Sequence, residues 1–473
     1  MIFSTIEFAI FMTVVFLIYW SIPHRFRWIV LLAANAYFYA FYDVKYIIVL
    51  FITTVISYYF AILMEKQASF EKRRGLFIAS VVIVLAFLFV FKYLNFTIYS
   101  VEKVLSLFGM PMQESTLKLI LPVGISFFTF EMISYLADVY RGKIAAEKSL
   151  VKYALFVSFF ANISSGPIER AGHFIPQLDK EKTFDYDNAV YGTRLLLLGL
   201  VKKIVFADML AKYVNAVFDH VPEMTGICFL WATLLYTFQI YCDFSGYSDM
   251  ALGLSRMLGF ELIENFRAPY YSTSIREFWG RWHISLSAWL KDYVYIPLGG
   301  NRCSKLKRDL NLLITFLVSG IWHGASWTFI LWGMIHGICQ VAENRLKEAF
   351  RGIKLPKPLA GVITFCIVSF AWLFFRANSI SEAYRAVRFM FADLSITNAM
   401  LRMTMSWRSV IKTLLAITAV MLYDGLTFKH DLLKEMNKLK MPLRWGIYFA
   451  AGILVLAMAA NNGAAQEFIY FKF

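Results

Sequence analysis

The chain has 473 residues, 59% hydrophobic and 18% aromatic, with only 17% charged and a formal net charge of +15. A soluble domain cannot hide so large an apolar share, so the composition points to an integral membrane protein. In such a chain the excess of Lys and Arg reads as membrane topology and contact with anionic lipid rather than nucleic-acid binding, with a share left to guide a phosphate-bearing donor.

Apolar stretches at about 6–22, 28–42, 46–63, 75–91, 119–137, 150–163, 188–206, 226–241, 310–322, 326–342, 358–375, 409–424 and 443–460 predict an all-α fold with about ten to twelve transmembrane helices. Gly75–Phe91 is the clearest, free of charge over a length that crosses the hydrocarbon core. Nothing before Arg25 is basic and Met1–Trp20 lacks a small-residue cleavage pattern, so the first segment is expected to be retained. Arg25 and Arg27 follow it, and Lys66, Lys72, Arg73 and Arg74 follow the third segment. The positive-inside rule places both loops in the cytoplasm and the N-terminus outside, with Arg302, Lys305, Lys307 and Arg308 marking another cytoplasmic loop. Leu121–Tyr140, with Pro122, Gly124 and Glu131, and the polar-rich Tyr241–Gly300 are expected to be re-entrant or buried, because interrupted backbone in lipid leaves polar groups unsatisfied.

With no internal repeat or linker, the sequence reads as one integral domain, residues 1–473, whose unusual chemistry lies at about 120–340. The five cysteines, Cys228, Cys242, Cys303, Cys339 and Cys366, form no CxxC pair and give neither a disulfide framework nor a zinc pattern. Cys303, in a basic loop, reads as an ordinary reduced cysteine, with lipid attachment as the alternative.

Of the seven histidines, His24, His173, His220 and His430 fall in loops or at span ends. His323 lies between two apolar runs, where an ionisable group is costly and usually faces a cavity or the protein interior. On one straight helix, His336 would sit about 20 Å farther along and on another face, so the two could not share a metal unless the chain bends at Gly324. With no carboxylate or cysteine at ligand spacing, no metal is expected, and His336 reads as structural or tunnel-lining. His283 lies where Phe278, Trp282, Leu286 and Trp289 recur at helical spacing. That pattern predicts an amphipathic helix with Arg281, His283 and Lys291 elsewhere around its axis. Asp243, Ser245, Tyr247 and Asp249 follow another apolar run, and Ser164–Arg170 interrupts a third; both read as surface turns or as cavity lining.

Four stretches together resemble the membrane-bound O-acyltransferase family, in particular its bacterial branch acting in alginate O-acetylation. They are SGPIER at 165–170, YCDFSGYSDMA at 241–251, the run from Phe278 to Arg302 ending in IPLGGNR, and WHGASW at 322–327. The resemblance implies a ring of membrane helices around a conical tunnel, entered by a donor thioester from the cytoplasm and by an acceptor from the other face. It implies that His323 is the membrane-embedded catalytic histidine and that His283 holds the second family position, orienting the thioester or assisting the leaving thiolate. Lys291 stands where arginine is frequent in this branch and lacks its planar donor fork.

On that basis Trp322, Trp327, Trp332 and His336 are expected around the acyl chain. Arg281 and Lys291 are expected at the cytoplasmic mouth, and Asp243, Ser245 and Tyr247 on the acceptor side. The implied activity moves a short acyl group, acetyl from acetyl-CoA, across a bacterial cell membrane onto an extracytoplasmic polysaccharide. A separate esterase-like acetyltransferase is the expected partner, and acetyl-CoA is a donor substrate rather than a bound cofactor. The rival readings are D-alanyl transfer to teichoic acid from a carrier protein, a proton-coupled transporter, and a scaffold for exopolysaccharide machinery.

Overall fold

The computed structural model describes residues 1–110, 117, 121–350, 355–396, 405–462 and 468–469, and among them it is helical with no strand. The first two residues of the apolar segment expected at 119–137 lie outside these. Among the described residues, six helices are long and apolar enough to cross a membrane: Lys45–Lys66, Phe70–Leu107, Gly226–Met257, Lys357–Arg376, Trp407–Thr427 and Met441–Asn461. Ile6–Ser21 is a seventh, shorter apolar helix. The sequence suggested about ten to twelve spans; several of the other apolar runs form shorter helices, such as Arg27–Ala40, Ile125–Tyr140 and Leu150–Ser158.

The described chain gathers into two compact units, Met1–Gly192 with Leu254–Ile263, and Thr193–Gly253 with Glu264–Phe473. In the first, the helix Ile125–Tyr140 is buried nearly all round, as its Pro122, Gly124 and Glu131 suggested. Gly124 has φ 74°, and a side chain there would meet the Ile163 carbonyl oxygen at 2.1 Å. Glu131, 2% exposed, accepts from Asn162 Nδ2 at 2.9 Å and from the Glu169 amide at 3.1 Å. Glu169, fully buried, accepts from the Ile263 amide at 2.6 Å and pairs with His173 Nδ1 at 2.8 Å. The SGPIER turn is thus a buried, hydrogen-bonded junction of the first unit rather than a surface turn.

The second unit contains the other three motifs. The helix Lys305–His323 stops where Gly324 turns extended, and Ser326 Oγ caps the next helix, Trp327–Ala349, by accepting from the Thr328 amide. The two helices run back along each other through glycines. A Cβ on Gly320 would meet the Phe329 carbonyl oxygen at 2.4 Å, and one on Gly333 would meet that of Phe316 at 2.4 Å.

Candidate functional site

This hairpin changes the relation between His323 and His336. They do not lie along one straight helix, because the chain reverses after His323, and both imidazoles meet the indole of Trp332, His323 at 4.8 Å and His336 at 5.0 Å between ring centroids. Both are buried, at 2% and 0% exposure. Trp322 and Phe375 close on His323 at 5.0 and 5.4 Å, while Trp279 Nε1 donates to His336 Nδ1 at 3.4 Å. That bond makes Nδ1 the acceptor and places the ring proton of neutral His336 on Nε2. His336 is therefore held by aromatic packing beside the centre.

His283 reaches the same centre from another segment, its ring 6.4 Å from that of His323 and 5.9 Å from Trp322. The single amphipathic helix expected across this motif is in fact two, Ile275–Trp279 and Ile284–Leu290. The break falls at His283, whose φ of 44° puts a non-glycine residue in the left-handed region, at a cost of about 1–2 kcal/mol.

Asn265, fully buried and 18 residues upstream, holds that break. Its carbonyl accepts from the Ile284 amide at 3.0 Å, and its Oδ1 accepts from the Ser285 amide at 3.2 Å and from Ser285 Oγ at 2.9 Å. The same oxygen lies 3.0 Å from His283 Nδ1. A backbone amide can only donate, so Oδ1 is the acceptor throughout, and His283 carries its proton on Nδ1 with its lone pair on Nε2. Burial pushes the pKa of His283, which lies outside the six spanning helices, down to about 3 and so keeps the ring neutral. No local pattern in the sequence marked Asn265; its role appears only once the chain folds back.

Beside this centre lies a cavity of about 320 Å³, lined among others by Arg276, Trp279, Lys291, Ser319 and Gln340. Ser319 stands one helical turn before His323, and Trp279 touches both His336 and Trp332. Lys291 is among these lining residues. Arg281 is not: its Nη2 pairs with Glu277 at 2.6 Å and its guanidinium covers Phe428, so Arg276 supplies the second cation. Trp322 and Trp332 are enclosed as expected, but Trp327 is 50% exposed and does not share the enclosure.

Asp243, Ser245 and Tyr247 are buried, and none of them lines this cavity. Asp243 accepts from Lys203 Nζ at 2.6 Å and from the Ile469 amide at 2.8 Å, and the ring of Tyr247 packs 4.3 Å from Phe468.

Residues 144–381, which include both His283 and His323, match the family model of the membrane-bound O-acyltransferases. The chain belongs to that family. The chain is similar to a probable alginate O-acetylase of Azotobacter vinelandii, 39% identical over 402 residues that cover 84% of this chain and 80% of the relative. It is 36% identical over 391 residues to a peptidoglycan O-acetyltransferase of Helicobacter pylori, covering 77% and 73%. A teichoic acid D-alanyltransferase of Bacillus subtilis is more distant, 30% identical over 271 residues, covering 54% of this chain and 68% of that relative. Family membership makes the chain an acyltransferase, which sets aside the transporter and scaffold readings.

Proposed function

We propose that the chain is an O-acetyltransferase of a bacterial cell membrane, with its N-terminus outside. It takes acetyl from acetyl-CoA on the cytoplasmic side and delivers it for O-acetylation of an extracytoplasmic polysaccharide, through a partner esterase-like transferase. The observation that carries this reading is the convergence of His323 and His283, 6.4 Å apart, beside a cavity bearing Arg276 and Lys291. A hydroxyl is a poor nucleophile at neutral pH and needs a base within reach.

His323 takes the proton as the hydroxyl oxygen forms its bond to the thioester carbonyl carbon. The carbon–sulfur bond then breaks, and the thiolate leaves as the thiol with a proton returned to it. His283 orients the thioester, and His323 returns the proton to the departing sulfur. Arg276 and Lys291 attract the donor's phosphates, and Trp322 and Trp332 restrict water, which would otherwise hydrolyse the thioester. The names of the alginate and peptidoglycan relatives support acetyl as the group transferred and a cell-surface polymer as its destination.

The test is to supply purified protein with labelled acetyl-CoA or with D-alanyl carrier protein, with and without the partner. Acetyl transfer from acetyl-CoA is expected, and a loss of about 10²–10⁴-fold in His323→Ala with folding and insertion intact. Transfer only from the charged carrier would move the chain to the D-alanyl reading. Wild-type transfer by His323→Ala would remove that residue from the chemistry, and polymer acetylation without any partner would remove the relay.

A further inference from the structure

The first unit holds a second cavity, of about 360 Å³, that the acyl-transfer chemistry does not use. Its lining includes five basic side chains, His24, Arg25, Arg27, Lys152 and Lys182, and no carboxylate. Lys152 is neutralised by Asp179. The others find no such partner. Arg27 spends Nε on the Ile22 carbonyl and Nη1 on the Lys182 carbonyl, which fixes the guanidinium plane in the cavity wall. Lys182 Nζ lies 4.9 Å over the ring of Phe260 and makes no ion pair among the described residues. Burial and the neighbouring Lys180 hold the Lys182 ammonium below its usual pKa, outweighing the opposing pull of Glu261, which does not line the cavity.

The cavity opens beside apolar surface. It takes Tyr19 from the end of the helix Ile6–Ser21, on which Ile10, Val14, Leu17 and Ile18 are 46–61% exposed at helical spacing. Trp28, in the cavity wall, and Ile29 are also exposed at the start of the next helix. A fixed cationic pocket at the end of a lipid-length apolar stripe has the chemistry of a headgroup site, with phosphate in the pocket and acyl chains along the helix.

We propose that this cavity binds the phosphodiester headgroup of an anionic phospholipid, held by Arg25, Arg27 and Lys182, with the acyl chains against the exposed face of Ile6–Ser21. A soluble phosphate ester shares the headgroup chemistry but gains nothing from the apolar stripe.

The full-length protein, purified in neutral detergent, would be titrated with phosphatidylglycerol, phosphatidylcholine and glycerol phosphate, and bound ligand counted by native mass spectrometry. Retention of phosphatidylglycerol over both others is expected. Lys182→Gln and Arg25→Gln should each weaken it about fivefold, the worth of one basic side chain near an anionic surface. Lys182→Arg, which keeps the charge, should bind as wild type and guards against a loss that is only misfolding. Acyl transfer in detergent should be unchanged in all three variants. Equal phosphatidylglycerol retention by wild type and Lys182→Gln would overturn the proposal. So would glycerol phosphate binding as tightly as the lipid, which would make the cavity a soluble-phosphate site.

Discussion

Both units bury ionisable groups, but they satisfy them in different ways. In the first, Glu131 and Glu169 are tied to neighbouring segments by hydrogen bonds: Asn162 and the Glu169 backbone on one, the Ile263 backbone and His173 on the other. These carboxylates stitch together segments from the central helix to Ile263, and each oxygen so used is withdrawn from other chemistry. In the second, the imidazoles of His323 and His336 are enclosed by rings, with Trp332 between them and Trp322, Phe375 and Trp279 around them. Ring faces and edges fix an imidazole's position while competing little for its nitrogen lone pair. The two carboxylates are thereby held by hydrogen bonds, and these two imidazoles chiefly by packing among rings.

The sharpest way to break this contrast is at Asn265, whose side-chain amide orients His283. Asn265→Ala should lower transfer by about 10²-fold, the usual cost of misplacing a reacting group by an ångström. Asn265→Asp keeps an acceptor for Nδ1 and should recover part of that loss while moving the acid limb of the pH–rate profile upward, since a carboxylate favours the protonated ring. Unchanged rate and profile in both variants would reduce Asn265 to a structural residue.

Next in size is the first unit. Glu169→Gln should cost about 1–3 kcal/mol of stability, read from thermal unfolding in detergent, with transfer per folded molecule intact. Lost transfer at unchanged stability would show that the first unit's carboxylates also take part in chemistry. Of similar size, Gly333→Ala places a methyl group 2.4 Å from the Phe316 carbonyl oxygen and should cost about 1–3 kcal/mol by forcing the hairpin apart. Unlike Glu169→Gln it should lower transfer as well, because His323 and Trp332 sit on opposite arms.

The smallest effect is His173, 42% exposed, whose pKa the Glu169 carboxylate raises above the usual 6.5. A raised imidazole pKa gives stability that is fully present below about 6.5 and is lost as pH rises through the folded-state value. Stability should therefore fall slightly across that window. His173→Gln should flatten the slope, and an unaltered slope would assign it to another group.

Much of the centre was legible because side chains announce chemistry. A histidine flanked by Trp322 and Gly324 in an apolar run is conspicuous, and the family resemblance paired it with His283. The helix around His283 was misread because Phe278, Trp282, Leu286 and Trp289 keep helical spacing across a break that the side chains do not mark. What bends the chain there is Asn265, in an unremarkable loop before Pro269, and contact at that sequence distance leaves no periodic trace. Arg281 does not line the cavity, because Glu277 claims it one turn away. Hydropathy likewise reports burial in lipid and burial in protein alike, and protein covers the apolar helix Ile125–Tyr140.

The glycine contacts of the hairpin have a consequence in conformational entropy. The separation of His323 from Trp332 is set where Gly320 and Gly333 bring two backbones together, with no rotamers to freeze at the point of contact. Glycine's larger backbone entropy is given up once, when the chain folds. Each substrate that arrives meets a centre whose spacing is already fixed, so none of its binding free energy is spent on ordering that contact.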